Sequence, residues 1–123
     1  MAKQVLILAG SPRIGGNSDL LCDAFQNGAE SVGNHVTKIE VATKEIGYCH
    51  GCYYCQEHGH CFQNDDMGPI LDQMVVTDVI VLATPIYFYS LDGQIKTLID
   101  RILPRCPTNR TQSSLHPDFC YFR

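Results

Sequence analysis

The sequence predicts an α/β domain in which parallel strands form one sheet and helices cover both of its faces. Three observations predict it. First, a continuous apolar run from Val5 to Ala9 leads through a glycine-rich turn into a segment with helical periodicity. Second, an apolar run from Val79 to Ala83 leads through a loop into another segment with helical periodicity. Third, strand-like and helix-like segments alternate along the chain. Such alternation requires right-handed crossovers between parallel strands, which gives three layers.

The first helix and the second strand follow the first apolar run. From Asp19 the apolar residues follow a helical period, with Asn17 or Ser18 as the cap of that helix and Gly33 as its stop. The next strand, His35 to Val41, mixes apolar with polar residues. That pattern is typical of a half-buried strand, so we expect it at the edge of the sheet.

The second half of the chain continues the alternation. Asp65 or Asp66 caps a short helix that extends through Met74, and the apolar run from Val79 to Ala83 predicts a buried third strand. A loop broken by Pro85 then leads into a helix rich in Ile and Leu. The sequence therefore predicts one helix between the second and third strands and one after the third.

Residues 1–123 are expected to form a single domain with a Cys-rich insert at residues 47–66. Residues 105–123 form a polar, Pro-punctuated tail that contains a candidate fourth strand, Phe119 to Phe122.

The composition narrows the class of protein. The formal net charge is −4 and the lysines and arginines are scattered, which argues against a nucleic-acid partner. The apolar runs are far shorter than the roughly 20 residues that a membrane span needs, and the run near the N-terminus is too short for a secretory leader. We therefore expect a cytoplasmic protein, in which seven cysteines indicate metal binding, redox chemistry or buried thiols.

The segment from Gly10 to Ser18, the phosphate turn, is typical of an anion site. It follows the first strand, at the edge of the sheet where open α/β folds bind their ligands. Glycines let backbone amides approach an anion, and the following helix adds its positive end. The candidate ligands are Ser11, Arg13, Gly16, Asn17 and Ser18.

The spacing of the phosphate turn argues against two other nucleotide motifs. Gly10 and Gly15 have the spacing of a Walker A loop, but Gly16 and Asn17 stand where Lys and Ser or Thr belong. The dinucleotide pattern G-x-G-x-x-G is also missing. A terminal monophosphate is the simplest remaining ligand. The alternative is an ordinary strand-to-helix turn with a good cap, which binds no ligand.

Three segments together resemble the NADPH-dependent FMN reductase family, a branch of the flavodoxin-like fold. They are Gly10–Ser18, Thr84–Tyr87, and Gly93–Lys96 continued through Asp100 and Arg101. The likeness runs from residue 4 to about residue 104. It implies a flavodoxin-like α/β/α fold with a parallel sheet in the strand order 2-1-3-4.

The resemblance implies FMN as the cofactor and NAD(P)H as the electron donor. In this family the first loop wraps the FMN phosphate and the second borders the isoalloxazine ring, for which aromatic and aliphatic walls are suited. The implied ring contacts are Pro85, Ile86, Tyr87 and Phe88. The electrons would pass to a small acceptor such as a quinone or a flavin, and no side chain is assigned as catalytic because the cofactor carries the chemistry.

Four cysteines form the most distinctive pattern, Cys49-x2-Cys52-x2-Cys55-x5-Cys61. This spacing resembles that of the iron–sulfur flavoproteins, a subgroup of the same family that carries a [4Fe–4S] cluster beside FMN. Plain packing of the thiols is the first alternative. A zinc site in which His58 or His60 replaces a thiolate is the second, although structural zinc sites usually join two separated pairs of ligands.

Two other functions stay open at this point. One is electron transfer by FMN plus a [4Fe–4S] cluster that a ferredoxin supplies with electrons, and the other is flavin binding without catalysis. Members of the family continue through further strand and helix units after Asp100 and Arg101, so we expect the usual last strand to be missing. An open sheet edge favours unwanted pairing unless it is covered. We therefore expect either a homodimer or a higher oligomer that buries this edge, or a sequence that is truncated.

Overall fold

The computed structural model describes residues 1–106, in which strands and helices alternate in the predicted order. One short helix, inside the Cys-rich insert, is an addition to the prediction. Short 3-10 turns follow the second strand and the last helix. The elements are β1 Gln4–Ala9, α1 Asn17–Ser31, β2 His35–Glu40, α2 Tyr54–His58, α3 Met67–Val76, β3 Val79–Ala83 and α4 Gly93–Asp100, with 3-10 turns at Val41–Thr43 and Leu103–Arg105.

The three strands form one parallel sheet in the order β2-β1-β3. Val5 of β1 pairs with Val36 of β2 on one side and with Val79 of β3 on the other. This confirms the parallel sheet and the first three positions of its order. The candidate fourth strand, Phe119 to Phe122, lies outside the described residues.

Burial agrees with the prediction for two strands and differs for the third. The central strand β1 is buried from Val5 onward, and β2 is half-buried, as expected of an edge strand. The sequence predicts a buried β3, but Val79 and Leu82 are exposed. Because β3 forms the other border of the described sheet, its side chains have strand neighbours on one flank only.

Helix α1 begins at Asn17, one or two residues earlier than either predicted cap implies. Its N-cap is Gly16, a residue that has no side chain with which to cap the helix. Asn17 and Ser18, the predicted caps, are instead the first two helical residues, so that prediction is wrong. The reason is the extended backbone of Gly16, with φ −78° and ψ −179°, which starts the helix at Asn17.

The other end of α1 confirms the prediction. Gly33 has φ 87°, in the left-handed region that favours glycine, and its N–H donates to the Glu30 carbonyl at 2.9 Å. The helix packs on the sheet through Cys22, which is buried beside Ile7 and Ala9. This thiol therefore serves as a core side chain.

Helix α3 begins at a carboxylate cap. The Oδ1 atom of Asp65 accepts a hydrogen bond from the Met67 amide at 3.1 Å, whereas Asp66 is bound to the backbone of Glu45. Asp65 is thus the capping residue of the two that the sequence offered. The buried face of the helix consists of Met67, Ile70, Leu71 and Met74.

The chain divides into two compact units. One comprises Met1–Lys44 with Val76–Lys96 and holds the sheet and α1. Of the described residues, the other comprises Glu45–Val75 with residues 97–106, and it holds α2. A single domain over residues 1–123 stays a prediction. No helix among residues 1–106 has the length and hydrophobicity of a membrane span. The cytoplasmic location also stays a prediction.

Candidate functional site

The phosphate turn starts at a glycine that has no room for a side chain. A Cβ atom on Gly10 would lie 2.2 Å from Ile95 Cγ1 and 3.0 Å from Asp92 Oδ1. The Gly10 amide donates to the Ala83 carbonyl at 2.8 Å, which joins the end of β1 to the end of β3. The two loops that follow these strands therefore begin side by side, as the sequence analysis expects of a ligand site.

Short-range hydrogen bonds shape the interior of the phosphate turn. The Ser11 hydroxyl accepts a hydrogen bond from the Arg13 amide at 3.2 Å, and the Gly16 amide donates to the Arg13 carbonyl at 3.1 Å. Ser11 is buried, while Arg13 and Asn17 are exposed. The structure thus brings the five predicted ligands into one turn, with Ser11 shaping the backbone and Arg13 facing solvent.

The end of α1 that meets this turn is suited to an anion. The first hydrogen bond inside the helix runs from the Leu20 amide to the Gly16 carbonyl at 2.9 Å. The amides of Asn17, Ser18 and Asp19 precede it and so have no acceptor within the helix. Aligned amides at a helix start, together with the helix dipole, favour a phosphate oxygen.

Two residues that the sequence analysis did not select as ligands support this turn. Asp19 is buried, and its Oδ2 atom accepts a hydrogen bond from the Gly15 amide at 2.7 Å. Lys38 of β2 binds the other oxygen of the same carboxylate. The hydrogen bonds that the Asp19 carboxylate accepts from Lys38 and from the Gly15 amide lower the pKa of Asp19 below its ordinary value. Alternation along β2 places Lys38 on the same face as Glu40, but it gives no sign of the contact with Asp19.

The second loop, Thr84–Ser90, ends in a tight turn and is called the aromatic loop. Tyr87 and Ser90 exchange two backbone hydrogen bonds, of 3.0 and 3.1 Å. The two residues between them, Phe88 and Tyr89, have φ 46° and 67°, as a type I′ turn requires. Asn and Gly usually fill these positions. Two aromatic residues held in the left-handed region indicate that something other than turn stability selects them.

The aromatic loop is anchored at its base and exposed at its tip. The Thr84 hydroxyl accepts a hydrogen bond from the Asp92 amide at 3.0 Å and donates to the Pro85 carbonyl at 2.8 Å. Ile86 is 80% exposed and Phe88 is 95% exposed. Apolar side chains presented in this way on a fixed base are suited to contact with a flat aromatic ligand.

Asp92 is a further residue that sequence reasoning missed. It is fully buried, and its Oδ1 atom accepts the Ile95 amide at 3.0 Å, which fixes the start of α4. Its Oδ2 atom is buried without a hydrogen-bond partner among the described residues. Because Gly10 adjoins Asp92, this carboxylate belongs to the junction of the two loops. Its position just before Gly93, as an N-cap residue type, was the available signal.

The four cysteines of the insert line one hollow that is open to solvent. Cys49 and Cys52 are exposed and Cys55 and Cys61 are half-buried, all as free thiols. Burial raises the pKa of the Cys55 thiol. Within residues 1–106, no three His, Cys, Asp or Glu side chains are close enough together to hold a metal ion. Cysteine thiolates are the donors that a [4Fe–4S] cluster uses. The four thiols are nevertheless not arranged as a metal site in the described residues.

The histidines of the insert are engaged elsewhere. The His58 ring stacks on Tyr54 with a centroid distance of 3.8 Å, and its Nδ1 atom lies 3.0 Å from the Tyr54 carbonyl. The Nδ1 atom of His60 lies 3.0 Å from the His58 carbonyl. These contacts place both imidazoles on α2 and the turn after it. They do not support the zinc alternative.

Arg101 closes the base of the insert. Its guanidinium is buried and donates two hydrogen bonds to Asp65, at 2.8 and 3.1 Å, and one to the Gly47 carbonyl at 2.9 Å. The Gly47 amide donates to the same carboxylate at 2.9 Å. Burial alone would raise the pKa of Asp65, but hydrogen bonds from Arg101 and two backbone amides lower it. Arg101 also lines the hollow of the cysteines.

Comparisons with known proteins find relatives of this chain in both sequence and structure. An iron-sulfur flavoprotein of Archaeoglobus fulgidus is 39% identical over 97 residues, which cover 79% of this chain and 44% of that relative. Among solved structures, a flavone reductase superposes with a TM-score of 0.65 at 28% identity, over 84% of this chain and 31% of its own. The chain spans about half the length of the curated relatives it matches.

A second solved structure addresses the fold alone. RosB, with a bound 8-demethyl-8-formylriboflavin-5'-phosphate intermediate, superposes with a TM-score of 0.71 at 20% identity, over 94% of this chain and 48% of its own. Together with the parallel sheet, this likeness confirms the predicted flavodoxin-like fold class. The model of one protein family, described as NADPH-dependent FMN reductase, matches residues 4–114. The chain therefore belongs to the NADPH-dependent FMN reductase family, and resembles its iron-sulfur flavoproteins.

Proposed function

We propose that this chain binds FMN and acts as an oxidoreductase that passes electrons from NAD(P)H to a small acceptor such as a quinone or a flavin. One observation carries the proposal. The phosphate turn and the aromatic loop begin side by side, where Gly10 donates to the Ala83 carbonyl. One loop suits a phosphate and the other suits a flat ring, which are the two ends of FMN.

The fit at the phosphate end rests on the backbone. Gly10 adjoins Asp92 and Ile95 so closely that a side chain would displace them. At Gly16 an added Cβ would lie 3.1 Å from the Arg13 carbonyl oxygen. Both glycines keep the turn narrow, so that amides rather than side chains face the anion. Arg13, which is exposed, supplies a positive charge that can close over the phosphate.

At the ring end, the residues present exclude water and orient the flavin. Pro85, Ile86, Tyr87 and Phe88 offer an apolar wall on a backbone that Thr84 holds in place. FMN, when bound, supplies the hydride and single-electron chemistry of the reaction. The protein's part is to bind the cofactor, leave a face of its ring open to the donor and acceptor, and supply the surrounding electrostatics. No side chain is needed as an acid or base.

Anaerobic reduction tests the proposed activity. The FMN-loaded chain is titrated with NADPH and, separately, with NADH, and the visible flavin absorption is followed. We expect stoichiometric bleaching with at least one of the two donors and reoxidation when a quinone is added. Bound FMN that neither donor reduces would contradict the activity and support the alternative of flavin binding without catalysis.

A second candidate function is electron transfer by FMN plus a [4Fe–4S] cluster, with a ferredoxin as donor. It is favoured by the hollow that Cys49, Cys52, Cys55 and Cys61 line, and by the relatives named iron-sulfur flavoproteins. Iron and acid-labile sulfide analysis of anaerobically purified protein tests it. About four of each per chain, lost in Cys52→Ser but retained in the control Cys22→Ser, would support the cluster. Protein without iron would contradict it.

We also propose that the chain forms a homodimer or a higher oligomer. Helix α1 exposes Leu20, Leu21 and Phe25, and β3 exposes Val79 and Leu82 at the border of the described sheet. Exposed apolar side chains on a helix and a sheet border favour association. Static light scattering that gives the mass of a single chain, 13.7 kDa, at micromolar concentration would contradict this proposal.

A further inference from the structure

Lys38 lies on β2 behind the phosphate turn and is bound by three carboxylates. Its Nζ atom binds Asp19, lies 2.8 Å from Asp23 Oδ1 and lies 3.2 Å from Glu40 Oε1. The side chain is only 15% exposed. Burial alone would lower the pKa of Lys38, but its hydrogen bonds to the carboxylates raise it above the ordinary value. The ammonium is therefore held charged in a fixed position.

Asp19 connects this lysine to the backbone of the phosphate turn. One carboxylate oxygen binds Lys38, and the other accepts the Gly15 amide at 2.7 Å. Gly15 has φ 79°, in the left-handed region that favours glycine. A continuous chain of contacts thus runs from Lys38 through Asp19 to Gly15.

The position of Asp19 poses an electrostatic difficulty for a phosphate site. It is the third residue of α1, and a carboxylate in the first turn of a helix interacts with the same positive end that would attract a phosphate. An uncompensated negative charge there would repel a phosphate, which carries about two negative charges near neutral pH. Lys38 is a cation that contacts this carboxylate.

We propose that Lys38 is a positioning residue for the flavin phosphate: it holds Asp19 against the Gly15 amide and offsets its charge, so that the phosphate turn accepts an anion. This inference rests on the proposed binding of FMN. It assigns no contact between Lys38 and the cofactor, because the lysine acts through Asp19. A purely structural ion pair would behave differently, since it would support the fold without distinguishing a phosphorylated from a neutral ligand.

The comparison of FMN with riboflavin, which lacks the phosphate, tests the inference. Dissociation constants for both flavins are measured by flavin fluorescence for the unmodified chain and for Lys38→Met. We expect FMN binding to weaken at least tenfold and riboflavin binding to change less than twofold. Lys38→Arg, which keeps the charge, should retain FMN binding within about threefold. Lys3→Met is the matched control, because Lys3 pairs with Asp78 at the start of β1.

A double variant isolates the charge of Asp19. In the chain that carries Lys38→Met, the further change Asp19→Asn keeps an acceptor for the Gly15 amide and removes the negative charge. We expect it to recover most of the lost FMN affinity. Should Lys38→Met fail to fold, Lys38→Gln is measured in its place with the same expectations.

The outcomes separate the two claims. Failure of the unmodified chain to bind FMN would overturn the proposed function and this inference with it. If the unmodified chain binds FMN, equal weakening of both flavins in Lys38→Met, or no weakening of either, would overturn the role of Lys38 alone. Absence of any recovery on adding Asp19→Asn would likewise overturn it.

Discussion

The phosphate turn and the Cys-rich insert are both glycine-containing loops, but they differ in how far the folded chain prepares them. In the phosphate turn, backbone bonds from Gly10 and Gly16 and the Asp19 carboxylate fix the loop. In the insert, Arg101 and Asp65 fix the base, while the thiols above it do not form a metal site in the described chain. A site built from backbone amides is therefore formed when the chain folds. A site built from thiolates, by contrast, requires side chains that move together when the metal cluster binds.

The largest expected effect concerns the base of the insert. Arg101→Gln removes a buried guanidinium and leaves the half-buried carboxylate of Asp65 without its cation, and breaking a largely buried pair in this way costs about 3 kcal/mol. We expect the free energy of unfolding, measured with urea, to fall by that amount. Arg105→Gln is the control, because its bridge to Asp72 at 2.5 Å is formed with a carboxylate that is 70% exposed. A surface pair contributes below about 1 kcal/mol.

If Arg101→Gln and Arg105→Gln lowered stability equally, the insert would have no fixed base. The contrast between a prepared base and an unprepared hollow would then be lost.

The next effect concerns the start of the phosphate turn. Gly10→Ala places a Cβ atom 2.2 Å from Ile95 Cγ1, and overpacking of this kind destabilises by about 1–3 kcal/mol. Urea unfolding measures it. Gly28→Ala, inside α1 with open space around its Cα, is the control and should stabilise by about 0.5–1 kcal/mol. A harmless Gly10→Ala would show that the turn is looser than the structure indicates.

A change in the aromatic loop is expected to raise the stability of the chain and to lower its affinity for FMN. Phe88→Asn combined with Tyr89→Gly gives the residues that a type I′ turn prefers. We expect the free energy of unfolding to rise by about 1–2 kcal/mol, because an L-residue in the left-handed region costs about that much. FMN affinity should fall at the same time. Ile86→Ala, outside the turn, is the control for loss of apolar surface without change of backbone strain.

Unchanged stability in the Phe88→Asn, Tyr89→Gly variant would contradict the inference that these two residues strain the backbone of the turn. Unchanged FMN affinity would contradict the assignment of the loop to the ring.

The smallest effect is a pH dependence. The pKa of Asp19 is lowered in the folded chain, so its ionised form contributes stability above its unfolded pKa of about 3.9. That contribution is lost as the pH falls through the folded value. Asp19→Asn should therefore flatten the loss of stability as the pH falls below about 5. Thermal unfolding in this acidic range measures it, with substitution of an exposed carboxylate, Glu57→Gln, as control. Parallel profiles for Asp19→Asn and the unmodified chain would show that Asp19 is not stabilised by its partners.

Sequence patterns predicted the regular elements well. The apolar runs of β1 and β3 set two strand positions, the mixed pattern of His35–Glu40 placed β2 at an edge, and Gly33 marked the end of α1. These features depend on local propensity and periodicity, which a sequence displays directly. The predicted caps Asn17 and Ser18 were wrong because Gly16 provides the extended residue before the helix.

The supporting residues of the site were beyond such patterns. Lys38 and Asp19 are 19 positions apart in the sequence, and Arg101 and Asp65 are 36 positions apart. Such pairs arise from tertiary packing, for which no local periodicity exists. The two positive φ values of Phe88 and Tyr89 were equally hidden, because neither residue type is favoured in that region.

The central claim is that the phosphate turn of this chain holds the phosphate of FMN. The most direct measurement is the ratio of the dissociation constants of riboflavin and FMN for the unmodified chain, determined side by side by equilibrium dialysis. Charge-assisted hydrogen bonds to a phosphate should make FMN bind at least about tenfold more tightly. Equal affinity for the two flavins would contradict the claim.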